Sequence, residues 1–489
     1  MSIAQRSVRS SSYNITASIL QTVVIFFRAV ILARLLEPAT FGSYKFLFAI
    51  VVWSGTLPNF GMVSALIHRV PESEGENALK VHFTLSTAFN LVWAIFLLLL
   101  SRFFIAQEFF LPFIVIVITQ FFDNLGQTAR AILIRSVRFR RLAILNFAST
   151  LVGSLVAVAL AYYGFGIWSL VATDVAPAAL TFLSFYFIAP VWRPKFGWLK
   201  ETARYLLNFG SKTFLAGTLL STLDHVDDVW TGIYLGETPL GFYSKAYQFA
   251  TYPRNLLANP LNSVATGTYA QLKDDPHRLS QAFFRVNALL ARSSFFLGGL
   301  IALIAPEFIR IVLGVKWLPM LDAFRLMLVY TLLDPMKITV ANLFTSIGFP
   351  EKVVKARLIQ LLVLLIGLIT LGPSFGIVGV AVAVDFMLVA GMILLFLQAR
   401  KYVRFSLVRL FLVPALALVV SMIFARLAIE LPGIAGSPWR TGFVKTIVFT
   451  IIYALMLFSL ERKELPMIFN MLRRLLPEGF IERFGLHIK

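Results

Sequence analysis

Cysteine is absent from the 489-residue sequence, which excludes disulfides, iron–sulfur clusters and thiol catalysis. Charge is scarce as well. Only 14% of the residues are charged and 58% are hydrophobic, where soluble domains run about 25% charged. A water-facing surface cannot be built from so little charge. A lipid-facing one can, because the bilayer interior is as apolar as a leucine side chain. The length would otherwise suggest roughly three soluble domains, and no stretch is polar enough to be one. A G-x-x-x-x-G-K-[ST] phosphate loop is missing, which argues against ATP hydrolysis. So are H-E-x-x-H and Cys/His metal spacings, and the five His are scattered, so no metal or organic cofactor is expected.

Long apolar runs make up most of the rest. Mean hydropathy is +0.82. At about 20 apolar residues per crossing, helices are expected at roughly 13–36, 43–67, 81–104, 109–133, 142–163, 166–189, 207–235, 241–268, 283–304, 319–347, 354–372, 375–397, 407–429 and 441–460. The fold class read from this is all-α, a polytopic membrane protein with about fourteen transmembrane helices. Turn chemistry at Glu37-Pro38, Gly164-Phe165-Gly166, Gly236-Glu237-Thr238-Pro239 and Pro373-Ser374 separates neighbouring runs. Met1–Ser12 is polar, and the apolar run after it has no small-residue cleavage site, so a first membrane helix is expected rather than a signal peptide. No outer-face loop exceeds roughly fifteen residues by this placement. A sugar-transferring membrane enzyme would have no outer domain to hold an acceptor and a catalytic carboxylate.

The net charge is +20. Sorting the connectors alternately puts the Lys and Arg residues roughly 28 to 4 on one side, a strong positive-inside pattern. The basic set includes Arg6, Arg69, Arg135–Arg141, Lys195, Lys273, Lys355, Arg400–Arg409 and the tail from Arg462. Both termini are therefore expected in the cytoplasm, and the excess charge needs no nucleic-acid partner. The tail from Glu464 to Lys489 reads as an amphipathic segment on the membrane surface.

An internal repeat is visible. Leu36-Glu37-Pro38-Ala39-Thr40-Phe41-Gly42-Ser43-Tyr44-Lys45 recurs as Leu235-Gly236-Glu237-Thr238-Pro239-Leu240-Gly241-Phe242-Tyr243-Ser244-Lys245, and each copy is followed by an Asn, Asn59 and Asn259. Phe165-Gly166-Ile167 and Phe375-Gly376-Ile377 each precede an intramembrane Asp, Asp174 and Asp385. Both halves start on the same side, so the implied pseudo-twofold lies along the membrane normal. The expected divisions are a lobe at 1–200, a second at 201–400, and two extra helices with the tail at 401–489.

Ionisable groups at membrane depth cost about 2.5–3.5 kcal/mol or more and usually face a cavity. The first helix carries Asn14, Gln21 and Arg28, seven apart and so on one stripe. The seventh carries Asp224, Asp227, Asp228 and Thr231 on one face. The eighth carries Lys245, Gln248, Tyr252, Asn255 and Asn259, echoed on the second by Lys45 and Asn59. One reading is a substrate cavity lined by Arg28, Lys45, Lys245, Asn59, Asn259, Gln21 and Tyr252, whose cations meet an anionic headgroup. The other is that Arg28 pairs with Asp227 or Asp228 and neutralises both. Asp224, Asp227 and Asp228 are candidates for H+ or Na+ coupling, or for the wall of an aqueous vestibule. Asp123, Asp174 and Asp385 read as helix–helix glue. Arg254 falls on the opposite side of its helix from Lys245 and is left out of the cavity.

The run from Arg34 to Tyr44, then Asn59-Phe60-Gly61, resembles the opening signature of the bacterial polysaccharide flippases, the O-antigen and exopolysaccharide exporters. Asn208-Phe209-Gly210-Ser211, Asp224–Asp228, Gly241-Phe242-Tyr243 and Leu313-Gly314-Val315-Lys316-Trp317 look like that family's second half. The family belongs to the multidrug/oligosaccharidyl-lipid/polysaccharide exporter superfamily. The resemblance implies two six-helix lobes, two extra helices, a basic central cavity and an inner-membrane location. It implies transport, not enzymatic catalysis: the translocation of an undecaprenyl-pyrophosphate-linked oligosaccharide. Membrane lipid and other polysaccharide-assembly membrane proteins are the implied partners. Of the family's cavity cations only Arg28, Lys45 and Lys245 have matches here. Two other readings stay open. A cation-coupled multidrug exporter would want an acidic, aromatic cavity, and a membrane polymerase or ligase would want a long outer loop.

Overall fold

The computed structural model describes residues 3–68, 75–430 and 436–461, excluding the side chains of 3–16, 256–257, 259–260 and 263. The Asn14 side chain, Arg69 and the amphipathic tail expected from Glu464 fall outside what the structure describes. Every regular element among the described residues is helical: α1 Ile3–Leu35, α2 Pro38–Ser54, α3 Met62–His68, α4 Gly75–Phe104, α5 Gln107–Arg135, α6 Phe139–Tyr162, α7 Ile167–Leu183, α8 Lys200–Tyr234, α9 Glu237–Gln271, α10 Pro276–Phe308, α11 Leu321–Ser346, α12 Pro350–Ala399, α13 Leu407–Ala428 and α14 Pro438–Leu460. Ten are long and apolar enough to cross a membrane. Of the others, α2 is 17 residues, and α8 is 35 residues long but carries the three carboxylates Asp224, Asp227 and Asp228. The exposed faces are apolar. On α4, Val92, Phe96, Leu99 and Phe103 form a stripe at helical spacing, each more than 60% exposed, as a lipid-facing side requires.

Two expected segments differ from what the chain builds. The run at 43–67 is not one helix: α2 ends at Ser54 and α3 starts at Met62. Pro58 disfavours helix at the residue before it, Phe60 and Gly61 have φ of 39° and 66°, and the Asn124 amide takes up the Gly55 carbonyl at 3.3 Å. The turn expected at Pro373-Ser374 shrinks to one residue. The 50-residue α12 is helical on both sides of Gly376, whose φ of 58° and ψ of −138° break it. Gly166, at the matching repeat position, has φ of 53° and ψ of −122° before α7. That region is open essentially to glycine alone, which is why the repeat places Gly at both positions.

The chain divides into two units. One is Met1–Ser244 with Leu364–Val380, and the other is Lys245–Val363 with Ala381–Lys489. In the first, α1 packs on α6, α6 and α5 on α7, and α2 on α8. The first repeat signature meets the start of the second there. A Cβ on Gly42 would lie 1.7 Å from the Glu237 carbonyl oxygen, and one on Gly241 1.9 Å from that of Pro38, so the backbones touch where a side chain cannot fit. Ser43 Oγ donates to the Glu237 carboxylate at 2.6 Å across the same approach. In the second unit, α10 packs on α11, α13 and α14 around a core that includes Phe283, Leu343 and Phe449.

Candidate functional site

In the first unit the glycine approach brings α2 beside α8 and the start of α9. Lys45 Nζ sits 2.9 Å from Asp228 Oδ2, with Asp228 nearly buried. His225 Nδ1 lies 3.9 Å from the same carboxylate. The Tyr243 hydroxyl, fully buried, donates to Asp227 Oδ2. Asp227 Oδ1 is also buried and accepts no hydrogen bond among the described residues. Asp224 and Asp227 add their fields to that of Asp228 at Lys45. Lys45 is thus paired with the buried Asp228 and also feels the buried Asp227 and the exposed Asp224, so a shift of its position re-partitions the interaction among them.

A second pairing starts one residue earlier. The Tyr44 hydroxyl donates to Asp174 Oδ2 at 2.5 Å. The Arg28 charge acts on both members of that pair. Asp174 lines a cavity of about 430 Å3 with Gln21, Gln120, Asp123 and Arg130. Gln21 Nε2 donates to Thr150 at 2.9 Å, and Arg130 lies 3.7 Å from Asp123. Asp228, one of the two partners offered to Arg28 on sequence grounds, is held by Lys45. Asn59 Nδ2 donates to Asn124 Oδ1 at 3.3 Å. Asn124 in turn donates to Asn90 at 2.7 Å, a ladder of amides that holds the break between α2 and α3.

In the second unit Lys245 Nζ donates to Gln248 Oε1 at 2.8 Å. Gln248 donates to the Tyr252 hydroxyl at 3.0 Å. Two of the expected cavity residues, Lys245 and Tyr252, are thus joined through Gln248 in one chain along α9. The Asn259 side chain lies outside the described residues. Arg254 pairs with Asp334 at 2.6 Å, and Lys337 takes the other oxygen at 2.8 Å. Two further pairs went unread in the sequence. Arg292 grips Glu461 with two nitrogens, and Lys445 meets Glu307 at 2.7 Å, tying α14 to α10 at both ends. The available signal was the presence of Arg292, Glu307 and Lys445 within otherwise apolar spans.

Comparison with known proteins adds the following. The family described as polysaccharide biosynthesis protein matches residues 31–322. The succinoglycan biosynthesis transport protein ExoT of Rhizobium meliloti (strain 1021) is 27% identical over 310 residues, which is 59% of this chain and 58% of that protein's length. The lipopolysaccharide biosynthesis protein WzxC of Escherichia coli (strain K12) is 22% identical over 352 residues, 68% of each chain. Among solved structures, the lipid II flippase MurJ in an inward closed conformation superposes with a TM-score of 0.77 over 94% of this chain and all of that one, at 15% identity. The shared fold and the apolar helices make this a multi-pass membrane protein.

Proposed function

The chain belongs to the polysaccharide biosynthesis protein family, and from that premise we propose that it is a flippase. It carries an undecaprenyl-pyrophosphate-linked oligosaccharide from the inner to the outer leaflet of the bacterial cytoplasmic membrane, for O-antigen, exopolysaccharide or capsule. The observation that carries this reading is the family match over residues 31–322, a stretch that contains Lys45, the three α8 carboxylates and Lys245. Counting α2 with α3 as one crossing, α8 and α9 as one each, and the two arms of α12 separately brings the ten apolar spans to fourteen. With an even count, the basic connectors support a topology that has both termini in the cytoplasm. The lobes proposed are 1–200 and 201–400, with the rest an addition.

Transport proceeds by alternating access. Arg28, Lys45 and Lys245 meet the pyrophosphate, and Gln21, Asn59, Asn259 and Tyr252 the sugars. When a phosphate oxygen replaces Asp228 as the partner of Lys45, the released carboxylate takes up H+ or Na+ beside Asp224 and Asp227, which couples substrate to ion. Other polysaccharide-assembly membrane proteins receive the product. The carboxylates of α8 favour one second reading, a cation-coupled multidrug exporter.

The test is complementation of a strain deleted for its own flippase, with wild type and with Arg28→Ala, Lys45→Ala and Lys245→Ala at matched expression. The readouts are surface polysaccharide and lipid-linked intermediate on the cytoplasmic side. Rescue by wild type, lost in the variants as intermediate builds up inside, is expected. Rescue by all three variants sinks the assignment of these cations. Drug resistance without polysaccharide rescue would select the exporter reading.

A further inference from the structure

Four basic residues that the proposed cycle does not use converge on a groove of about 920 Å3 in the second unit. Arg400, Lys401 and Arg404 come from the connector between α12 and α13, and Arg409 from the first turn of α13. The start of α10 forms the other wall, with Ser280 and Phe284.

The connector is anchored. Val403 is 2% exposed. The Tyr402 ring packs on Phe344 and Phe349. The Phe405 ring packs on Phe283 and Phe396 at 5.1 and 5.6 Å. The Arg404 amide donates to Ser280 Oγ at 3.0 Å. With positions 402, 403 and 405 turned inward, Arg400, Lys401 and Arg404 stay exposed on a backbone that is already fixed. Among the described residues of the lining the one carboxylate, Asp275, is engaged: it accepts from the Arg278 amide at 3.0 Å and pairs with the Arg278 guanidinium at 3.4 Å. A basic loop that serves only to orient a protein in the membrane needs neither the anchoring nor the groove.

Position identifies the occupant. The groove lies at the ends of three apolar spans, which begin at Pro276, finish at Ala399 and begin at Leu407. That is the level at which hydrocarbon gives way to headgroups. We propose that the groove holds the headgroup of an anionic phospholipid. The phosphate lies among the four cations, where guanidinium forks bind its oxygens, and the first carbons of an acyl chain lie against Phe284 and Phe405. A soluble phosphate compound matches the charge but gains nothing from an apolar floor at bilayer depth.

The experiment is lipid retention by the full-length protein, extracted in equal amounts of phosphatidylglycerol and phosphatidylethanolamine and read by native mass spectrometry. Wild type is expected to retain phosphatidylglycerol in preference. R400Q/K401Q/R404Q/R409Q is expected to lose the preference at least tenfold, and R138Q/R140Q/R141Q, discharged at the α5–α6 connector, to keep it. If the fourfold variant does not fold, Arg404→Gln and Arg409→Gln are each expected to weaken retention about fivefold. Equal retention of both lipids by wild type overturns the assignment. So does equal loss in both discharged proteins, displacement by millimolar inorganic phosphate, or retention of undecaprenyl phosphate in place of phosphatidylglycerol.

Discussion

Removing Lys45 should damage the protein more than removing its partner Asp228. At 2.9 Å and an effective dielectric near 20, the attraction between the two is about 6 kcal/mol. Dehydration of both groups offsets much of that, so the informative quantity is what each deletion leaves behind. Asp228→Asn leaves Lys45 facing Asp227 and Asp224, a net charge that is still compensated. Its expected cost is about 1–3 kcal/mol, the range for an unmatched hydrogen-bonding group. Lys45→Met strands the buried Asp228 carboxylate beside the buried Asp227 without the ammonium that stood 2.9 Å away. About 3–5 kcal/mol is expected for breaking a buried pair in this way. The double variant K45M/D228N should recover part of the loss, with a coupling of about 0.5–3 kcal/mol. Thermal unfolding of the detergent-purified proteins, at one pH and matched lipid, measures the order. If K45M is no less stable than D228N, or if the two losses simply add, then Lys45 is not the cation that balances α8.

Two further predictions rest on geometry alone. Gly42→Ala should abolish folded protein on size-exclusion chromatography, because its Cβ would sit 1.7 Å from a backbone oxygen, whereas Gly217→Ala, where an added Cβ meets nothing within 4 Å, should elute as wild type. Arg292→Met should cost about 3–5 kcal/mol by stranding Glu461, and R292M/E461M should regain most of it in a thermal melt, the opposite of what a merely bulky contact would give.

The helices were legible because apolar runs of spanning length have few alternatives in lipid. The break at Gly55–Gly61 was less so: Pro58 permits a bend, but what turns it into a full interruption is the Asn124 amide on the Gly55 carbonyl, supplied from α5. The site was legible as residue types and not as pairs. A helical wheel puts Asp224, Asp227 and Asp228 on one face, yet it cannot say whether Arg28 or Lys45 reaches them, since both cations sit on other helices. The exclusion of Arg254 had the same limit. Its side of α9 was read from the wheel, and its partner Asp334 lies on α11. Tyr44 and Tyr243 stood in plain view within the repeat, but nothing in their spacing shows that each donates to an Asp on a neighbouring helix.

Those two tyrosines also explain why the site is lopsided although the signature is repeated. The glycines, Gly42 and Gly241, and the tyrosines that follow do the same work in both copies: close backbone approach, then a hydroxyl given to a carboxylate. The lysine that ends each copy does not. Lys45 meets a carboxylate, while Lys245 donates to the neutral amide of Gln248. An ammonium held by a carboxylate must be released before an anion can take its partner's place. Lys45→Ala should therefore alter the ion dependence of substrate movement, and titrating transport against sodium and proton concentration in that variant and in wild type tests it: an unchanged dependence removes Lys45 from the coupling step.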